Sequence, residues 1–534
     1  MALQAKGFLD KGLRPRPVFN DGSPPKTVSV VGNDGEIIDS PSLRTPLSKY
    51  SRRIRYTALE FDPLLDSSSM NAKGWEKIAK AIQRNYQLFD AFVILHGTDS
   101  LAYTASALSF MINNLGKPVI LTGSQAPMSE LHNDATDNLL GSMIIGGHYM
   151  VPEVCLFFNH RLLRGNRSTK VNALDFAAFA SPNCPDLATI GISVNVNWNQ
   201  VRRPNSISPF SIQTNLSTSH VACLRIFPGI MPQMLRGVLK LPGLKGLILE
   251  TFGSGNAPQD DELIEVLREG IESGIVVVSV TQCQIGSVSP LYAAGTTLAR
   301  AGVIFGLDMT SEAALTKLAS LLSQPSLSTQ DVRALMSQSI RGELTEVTEN
   351  IFSHPQETPS VPPLISTLST LGYAIASKNH DAISQIIRES GSGSNPSSPG
   401  MEASNGSDNM SNITNSPNGF THSGVIGGAG FLLNQFDYSG NTPLHIAAGS
   451  DDVQILRMFL ELGASVHLRN RDGKTPLFIA AKNGRVENVR LLKASGAHLH
   501  ADEKDMARLL KKRSLMVRDG GCRERVEGWE LAGA

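Results

Sequence analysis

The chain has 534 residues, of which 41% are hydrophobic and 18% are charged, and these values predict a globular protein of two to four domains. Its 48 basic residues balance 48 acidic ones, which excludes a global attraction to nucleic acid or to an anionic membrane. The N-terminus lacks a signal-peptide core, and no run of about 18 apolar residues occurs. The five cysteines are scattered without metal-ligand spacing, so we expect a cytoplasmic protein with reduced thiols and neither metal nor cofactor.

The first half of the chain alternates short apolar runs with segments of helical periodicity, which is typical of an α/β domain. The predicted elements are a short strand at 27–31 in an otherwise irregular N-terminus, strands at 91–96, 117–123 and 153–159, and a helix at 100–116. Strand, helix and strand in succession form a βαβ unit, which implies a parallel sheet. We therefore expect an N-terminal domain over residues 1–200.

A second alternating stretch follows a Pro- and Ser-rich segment at 201–218, which we interpret as a linker. Its strands are predicted at 221–227, 243–253 and 274–283, with helices between them. This pattern predicts a smaller C-terminal α/β domain over residues 219–350.

The end of the chain contains an internal repeat. Residues 440–464 align with residues 473–497, and both copies begin with a Thr-Pro-Leu segment followed by Ala-Ala. The 33-residue period and this core resemble ankyrin repeats, so an all-α region that binds an unknown protein partner is expected. Its predicted parts are a degenerate first repeat at 365–391, a disordered low-complexity insert at 392–430, and repeats with a cap at 431–515. The alternative is that these helices merely extend the α/β core.

Small polar residues follow several of the predicted strands. The clusters are DSSS at 66–69, HGTDS at 96–100, TGSQ at 122–125 and RGNRSTK at 164–170. Each cluster alone is typical of a turn or a helix cap. Because ligands of open α/β sheets bind at the carboxyl ends of strands, the four together predict one pocket rich in hydroxyls, with carboxylates and a single lysine. That pocket has neither a His/Cys metal set nor a Gly-rich phosphate loop.

The segment 92–127, FVILHGTDSLAYTASALSFMINNLGKPVILTGSQAP, resembles the signature of the bacterial-type L-asparaginases, nearest the cytoplasmic type I group. The likeness extends from about residue 56 to residue 345. With the repeats, the arrangement is similar to eukaryotic asparaginases assigned both asparaginase and lysophospholipase activity. The resemblance implies a two-domain asparaginase fold, hydrolysis of L-asparagine to L-aspartate and ammonia, and a homodimer or homotetramer.

The resemblance also implies roles for individual residues. Thr98, Asp99 and Lys170 would form a catalytic triad, in which the lysine accepts the threonine's proton and therefore must be neutral. The implied substrate-binding residues are Asp66, Ser67, Ser68, Ser124, Gln125 and Asn256, the last of which would close the pocket of a neighbouring subunit. Thr169 and Cys283 match an effector site of the type I enzymes. Glu250 stands where the pattern has an arginine, which argues against allosteric activation.

One family motif does not occur in the sequence. The family begins with a strand ending in Thr-Gly-Gly-Thr, whose second threonine is the usual nucleophile. Met1 and the Gly7-Phe8 pair fall at the spacing that follows this motif, so we expect the printed start to be an internal methionine of a longer protein. Two alternatives to an active asparaginase stay open: an impaired asparagine-binding scaffold, and a lysophospholipase with the same hydroxyl chemistry.

Overall fold

The computed structural model describes residues 7–289, 293–345, 363–391, 430, 432–437, 439–516 and 522–534. The segment predicted to be disordered, 392–430, lies outside these residues except for its last position. Among the helices of the described residues, none is long and apolar enough to cross a membrane.

The N-terminal segment forms an antiparallel sheet of three strands, β1 (Lys26–Val31), β2 (Ile37–Arg44) and β3 (Arg55–Tyr56). Only the first of these strands was predicted, and the expectation of an otherwise irregular N-terminus was wrong. The middle strand carries Ser40, Pro41 and Ser42, so its composition resembles a loop. It forms because six of its residues pair in register with β1, which is a tertiary effect that local composition does not reveal.

A six-stranded sheet forms the centre of the N-terminal domain. The strands that follow β3 up to the linker are β4 (Phe92–Leu95), β5 (Ile112–Asn113), β6 (Val119–Thr122), β7 (Val154–Phe158), β8 (Arg161–Arg164), β9 (Thr169–Lys170), β10 (Phe179–Ala180), β11 (Ala188–Ile190), β12 (Val194–Val196) and β13 (Ser211–Ile212). The order β12-β11-β8-β7-β6-β4 places β4 at one edge, and β4, β6 and β7 run parallel as predicted. Leu95, at the end of the edge strand, is 49% exposed.

Three helices cover this sheet: α1 (Ala72–Asn85), α2 (Leu101–Met111) and α3 (Ala135–His148). Helix α2 is buried on nearly every side, because it lies between the sheet and a helix of the second domain. It ends at Met111 rather than near Gly116, where the sequence predicted its end. The cause is the pairing of Ile112–Asn113 with the linker strand Ser211–Ile212, which draws the chain out of the helix.

The C-terminal α/β domain contains a parallel sheet of four strands in sequence order: β14 (Val221–Arg225), β15 (Gly246–Thr251), β16 (Val276–Thr281) and β17 (Ile304–Phe305). Its helices are α4 (Pro232–Leu239), α5 (Asp261–Glu272), α6 (Ala293–Arg300), α7 (Ser311–Leu322) and α8 (Thr329–Met336). Because α7 packs on α2, the two domains share a buried boundary beside the predicted site.

The C-terminal region is helical, and its helices are Pro363–Ala376, His380–Gly391, Pro443–Gly449, Val453–Glu461, Pro476–Lys482, Val486–Ala494, Ala501–Met516 and Cys522–Ala532. Thr442 and Thr475 cap the two helices that begin with Pro443 and Pro476, as the repeat predicts. The last helix was not predicted. It places Trp529 against Phe478, with ring centroids 5.0 Å apart, and so covers the end of the stack. The domain boundaries proposed from the sequence stay predictions.

Candidate active site

The segment HGTDS connects β4 to α2, and it places Thr98 and Asp99 beside Lys170. The Lys170 Nζ atom lies 3.0 Å from Thr98 Oγ1 and 3.4 Å from Asp99 Oδ1. Thr98 is buried, whereas the side chains of Lys170 and Asp99 are 26% and 65% exposed. The three residues predicted to form a triad therefore meet near the surface, with the threonine buried beneath the lysine and the aspartate.

Lys170 is held from two directions. As part of β9 it pairs with Phe179 of β10 in a short antiparallel ribbon. Three residues earlier, Arg167 forms a buried ion pair with Asp308 of the second domain, with nitrogen–oxygen distances of 3.0 and 2.8 Å. A charged pair of this kind is directional and costly to break, so it fixes the segment that carries the lysine.

The loop that carries Thr98 follows β4 and lies very close to the end of the neighbouring strand β6. A Cβ atom at Gly123, just after β6, would lie 2.3 Å from the carbonyl oxygen of His96 and 3.8 Å from the Thr98 methyl group. Only glycine permits this spacing. His96 itself faces inward: its Nδ1 atom donates to the Gly97 carbonyl at 2.7 Å, and its Nε2 atom accepts from the Thr104 hydroxyl at 3.0 Å. Burial lowers its pKa, which favours this neutral, structural role.

The segment predicted to bind the substrate α-carboxylate forms a short 3-10 turn at Ser67–Ser69. The Asp66 carboxylate accepts from the Ser68 hydroxyl at 2.6 Å and from the Ser68 backbone N–H at 3.3 Å. The Ser100 hydroxyl donates to the Ser67 carbonyl at 2.5 Å, instead of capping helix α2. This bond joins the serine turn directly to the segment that carries Thr98.

Ser124 and Gln125 lie on the turn after β6, and Ser124 is buried. The carboxylate of Asp134 organises this turn, because it accepts from the backbone N–H groups of Gln125 and Ala126 at 3.0 Å. Asn138 of α3 donates to the same carboxylate at 3.1 Å. Neither Ser100 nor Asp134 was singled out from the sequence. Both precede a helix, so their composition signal is that of an ordinary cap.

The other predicted residues lie apart from this cluster. Asn256 forms a tight backbone pair with Phe252 in the second domain, and its side chain makes no hydrogen bond with the triad within the described residues. Thr169 donates to Glu312 at 2.7 Å, whereas Cys283 is exposed and its N–H donates to Thr281 Oγ1. The two implied effector residues therefore make contacts with different partners.

Two carboxylates lie behind the Thr169 position. Burial raises the pKa of Glu312, although the hydrogen bond from Thr169 acts in the opposite direction. Glu250 accepts from the Ser311 hydroxyl at 2.7 Å and pairs with Arg225 at 3.2 Å. The Glu250 carboxylate therefore contacts residues of α7 and β14, namely Ser311 and Arg225.

Comparison with known proteins places these observations in a family. The chain matches the models of "Asparaginase, N-terminal" over residues 29–202, of the "Glutaminase/Asparaginase C-terminal domain" over 220–336, and of "Ankyrin repeats (3 copies)" over 423–503. It therefore has the two α/β domains of an asparaginase, followed by ankyrin repeats. The chain belongs to the asparaginase family.

Its relatives carry two different names. The mouse 60 kDa lysophospholipase is 39% identical over 435 residues, which cover 79% of this chain and 70% of the relative. L-asparaginase 1 of Escherichia coli K12 is 49% identical over 291 residues, which cover 54% of this chain and 85% of that protein. The crystal structure of L-asparaginase I from Vibrio cholerae is 48% identical, with a TM-score of 0.51 over 54% of this chain and 86% of that one.

Proposed function

We propose that this chain is an L-asparaginase, which hydrolyses L-asparagine to L-aspartate and ammonia. The observation that carries the proposal is the position of Lys170 Nζ, within 3.0 Å of Thr98 Oγ1 and 3.4 Å of Asp99 Oδ1. A hydroxyl becomes a nucleophile when a base lies within hydrogen-bond reach and a third group orients that base. Thr98, Lys170 and Asp99 have this arrangement.

In the reaction proposed for the residues present, Thr98 Oγ1 takes the place of the family's Thr-Gly-Gly-Thr nucleophile and attacks the side-chain amide carbon of asparagine, and Lys170 Nζ takes the hydroxyl proton. The C–N bond breaks, and the proton passes to the departing nitrogen, which leaves as ammonia. Water then attacks the resulting aspartyl ester, giving L-aspartate and restoring the threonine. The exposed carboxylate of Asp99 supports the lysine and faces the substrate α-ammonium group.

The substrate-binding assignment follows the same geometry. Ser67 and its neighbours on the serine turn are assigned to the α-carboxylate, and Asp66 holds that turn in shape through its two hydrogen bonds from Ser68. Ser124 and Gln125 face the side-chain amide from the turn that Asp134 organises. Asn256 is assigned to the pocket of a neighbouring copy, in a homodimer or homotetramer. The ankyrin repeats are assigned to an unidentified protein partner.

A lysophospholipase activity is the second candidate, because the mouse relative and a human relative are both named 60 kDa lysophospholipase. Three leucines beside the site segments favour it: Leu95, Leu131 and Leu174 are exposed and could contact an acyl chain. An asparagine-binding scaffold without catalysis is the third reading.

One experiment separates the three functions. Ammonia release from L-asparagine is measured beside fatty-acid release from lysophosphatidylcholine and beside the heat of asparagine binding. The assay compares the printed chain with a form extended at its N-terminus by the Thr-Gly-Gly-Thr strand of an asparaginase relative, because that motif is absent from the 534 residues. Ammonia release by the printed chain supports the proposal with Thr98 as the nucleophile, whereas release by the extended form alone would support the asparaginase activity and assign the attack to the added threonine. Fatty-acid release alone, or binding without turnover in both forms, would overturn it.

A further inference from the structure

Three buried histidines meet where the ankyrin repeats contact the N-terminal domain. His467, His498 and His500 are 3%, 6% and 4% exposed, and each can present a ring nitrogen within 4.8 Å of the others. His467 and His500 occupy equivalent positions in successive 33-residue repeats, so the stacking of the repeats brings their rings together. This cluster is the only group of at least three metal-ligating side chains found in the described part of the chain.

Two of the histidines have a free nitrogen. His500 Nδ1 lies 2.9 Å from Asp90 Oδ1, so the carboxylate selects the tautomer with the proton on Nδ1. The Nε2 atom of His500 then carries a free lone pair, and this atom is buried without a hydrogen-bond partner. The Nδ1 atom of His467 is buried and unpartnered as well. Orphaned polar atoms of this kind are costly, and a carboxylate behind a histidine is the usual support of a metal-binding imidazole.

The third histidine contacts a buried lysine. Its Nδ1 atom faces the Gly496 carbonyl at 3.3 Å, and its Nε2 atom accepts from Lys117 Nζ at 3.0 Å. Lys117 donates to the Phe89 carbonyl at 2.7 Å and to the Tyr86 carbonyl as well. The ammonium group therefore keeps two partners if His498 turns toward another ligand.

Carboxylates outnumber the cations around the cluster when the imidazoles are neutral. Asp90 pairs with Arg469 at 3.3 Å, and Asp502 pairs with the same guanidinium at 2.8 Å. Glu503 is a third carboxylate, buried and accepting from the backbone N–H of His500 at 3.1 Å, whereas Lys117 adds only one more positive charge. Neutral imidazoles are the ligands that zinc, copper and nickel ions prefer among side chains of this kind.

We propose that His467, His498 and His500 form a binding site for a Zn²⁺-class divalent metal ion, at the contact that Asp90 and Lys117 of the N-terminal domain make with the ankyrin repeats. Nitrogens around tetrahedral zinc are about 3.4 Å apart, given zinc–nitrogen bonds of about 2.1 Å. The cluster therefore needs ring movements of about an ångström to close around the ion. The metal takes the His498 nitrogen from Lys117, and water supplies the open position. Asp90 is a positioning residue for His500.

The test is a titration of the full-length, tag-free chain with Co²⁺ after removal of metals by a chelator. The expected result is one Co²⁺ per chain, visible absorption bands typical of tetrahedral coordination, and displacement by Zn²⁺. Asp90→Asn should weaken binding about 10- to 100-fold, as expected for loss of a carboxylate behind a ligating histidine. His467→Asn and His500→Asn should weaken it at least as much.

Lys117→Met gives a prediction of the opposite sign, because it removes the group that competes for His498. This variant should bind Co²⁺ more tightly than the wild-type chain. His220→Asn, at a half-buried position remote from the cluster, and Lys73→Met, at an exposed position, are the controls and should leave binding unchanged. Circular dichroism establishes that each variant is folded.

The wild-type titration keeps the proposal falsifiable even if a histidine variant does not fold. Absence of stoichiometric binding at micromolar Co²⁺ would overturn it. Binding that His500→Asn leaves unchanged, or that Lys117→Met weakens, would also overturn it, since the three rings would then only pack around the lysine.

Discussion

Arg167 and Asp308 form a buried, bidentate ion pair across the boundary of the two α/β domains, three residues before the lysine of the candidate site. The backbone N–H and the hydroxyl of Thr345 donate to the same carboxylate, at 2.8 and 2.5 Å. The position of Lys170 in one domain is therefore coupled to a carboxylate in the other.

Asp308→Ala should lower the free energy of unfolding by about 3–5 kcal/mol, because it leaves the Arg167 charge buried without a partner. Urea denaturation followed by circular dichroism measures the change. Glu265→Ala is the control: it removes the exposed partner of Arg268 and should cost less than about 1 kcal/mol. Equal effects of the two substitutions would contradict a structural role for the buried pair.

The same carboxylate predicts an acid-sensitive contribution to stability. Burial alone would raise the pKa of Asp308, but the hydrogen bonds and charge of Arg167 outweigh it and hold the pKa below its ordinary value. The group's contribution is present above its unfolded pKa and is lost as pH falls through the lower, folded value. Thermal unfolding temperatures between pH 6 and pH 2 should therefore fall in the wild-type chain below about pH 4. The fall should be smaller in Asp308→Asn. An identical fall would rule out protonation of Asp308 as a cause of the acid sensitivity.

Gly123→Ala should disrupt the loop of Thr98, since the added methyl group would lie 2.3 Å from the His96 carbonyl oxygen. We expect a loss of about 1–3 kcal/mol in the free energy of unfolding and a lower rate of ammonia release. Gly237→Ala, in helix α4 with open space around the added atom, is the matched control and should stabilise the chain by about 0.5–1 kcal/mol. A fully active Gly123→Ala enzyme would show that the close approach is not needed.

Ser100→Ala should raise the KM for asparagine about 5-fold, which corresponds to the loss of a hydrogen bond worth about 1 kcal/mol. The reason is that its hydroxyl holds the Ser67 carbonyl and thereby the serine turn. Steady-state ammonia release measures the effect. Ser109→Ala removes a buried hydroxyl from the same helix without contact with that turn, so its KM should match the wild type. A change in kcat with an unaltered KM would argue for a different role of Ser100.

The parallel strands were predictable because apolar runs are local signals, and the polar residues at strand ends predicted one shared pocket. The grouping of Thr98, Asp99 and Lys170 as a triad came from the resemblance to asparaginases. The strand Ile37–Arg44 was not predictable, because its Ser and Pro residues have low strand propensity and the strand forms only by pairing with Lys26–Val31. The early end of α2 also depends on a distant segment, Ser211–Ile212. The expectation that no metal-ligand set exists rested on cysteine spacing and motif patterns, which do not show that a 33-residue repeat stacks His467 on His500.

The most direct test of the proposed mechanism is the rate of ammonia release from asparagine by Lys170→Met, compared with Lys73→Met and the wild type. All three are measured in whichever form, the printed chain or the N-terminally extended one, releases ammonia. Loss of the general base typically costs about 100- to 10,000-fold in kcat. The proposed role of Lys170 predicts a loss of this size for Lys170→Met, with a normal fold, and no loss for Lys73→Met. A Lys170→Met enzyme that retains more than about a tenth of the wild-type rate would contradict it.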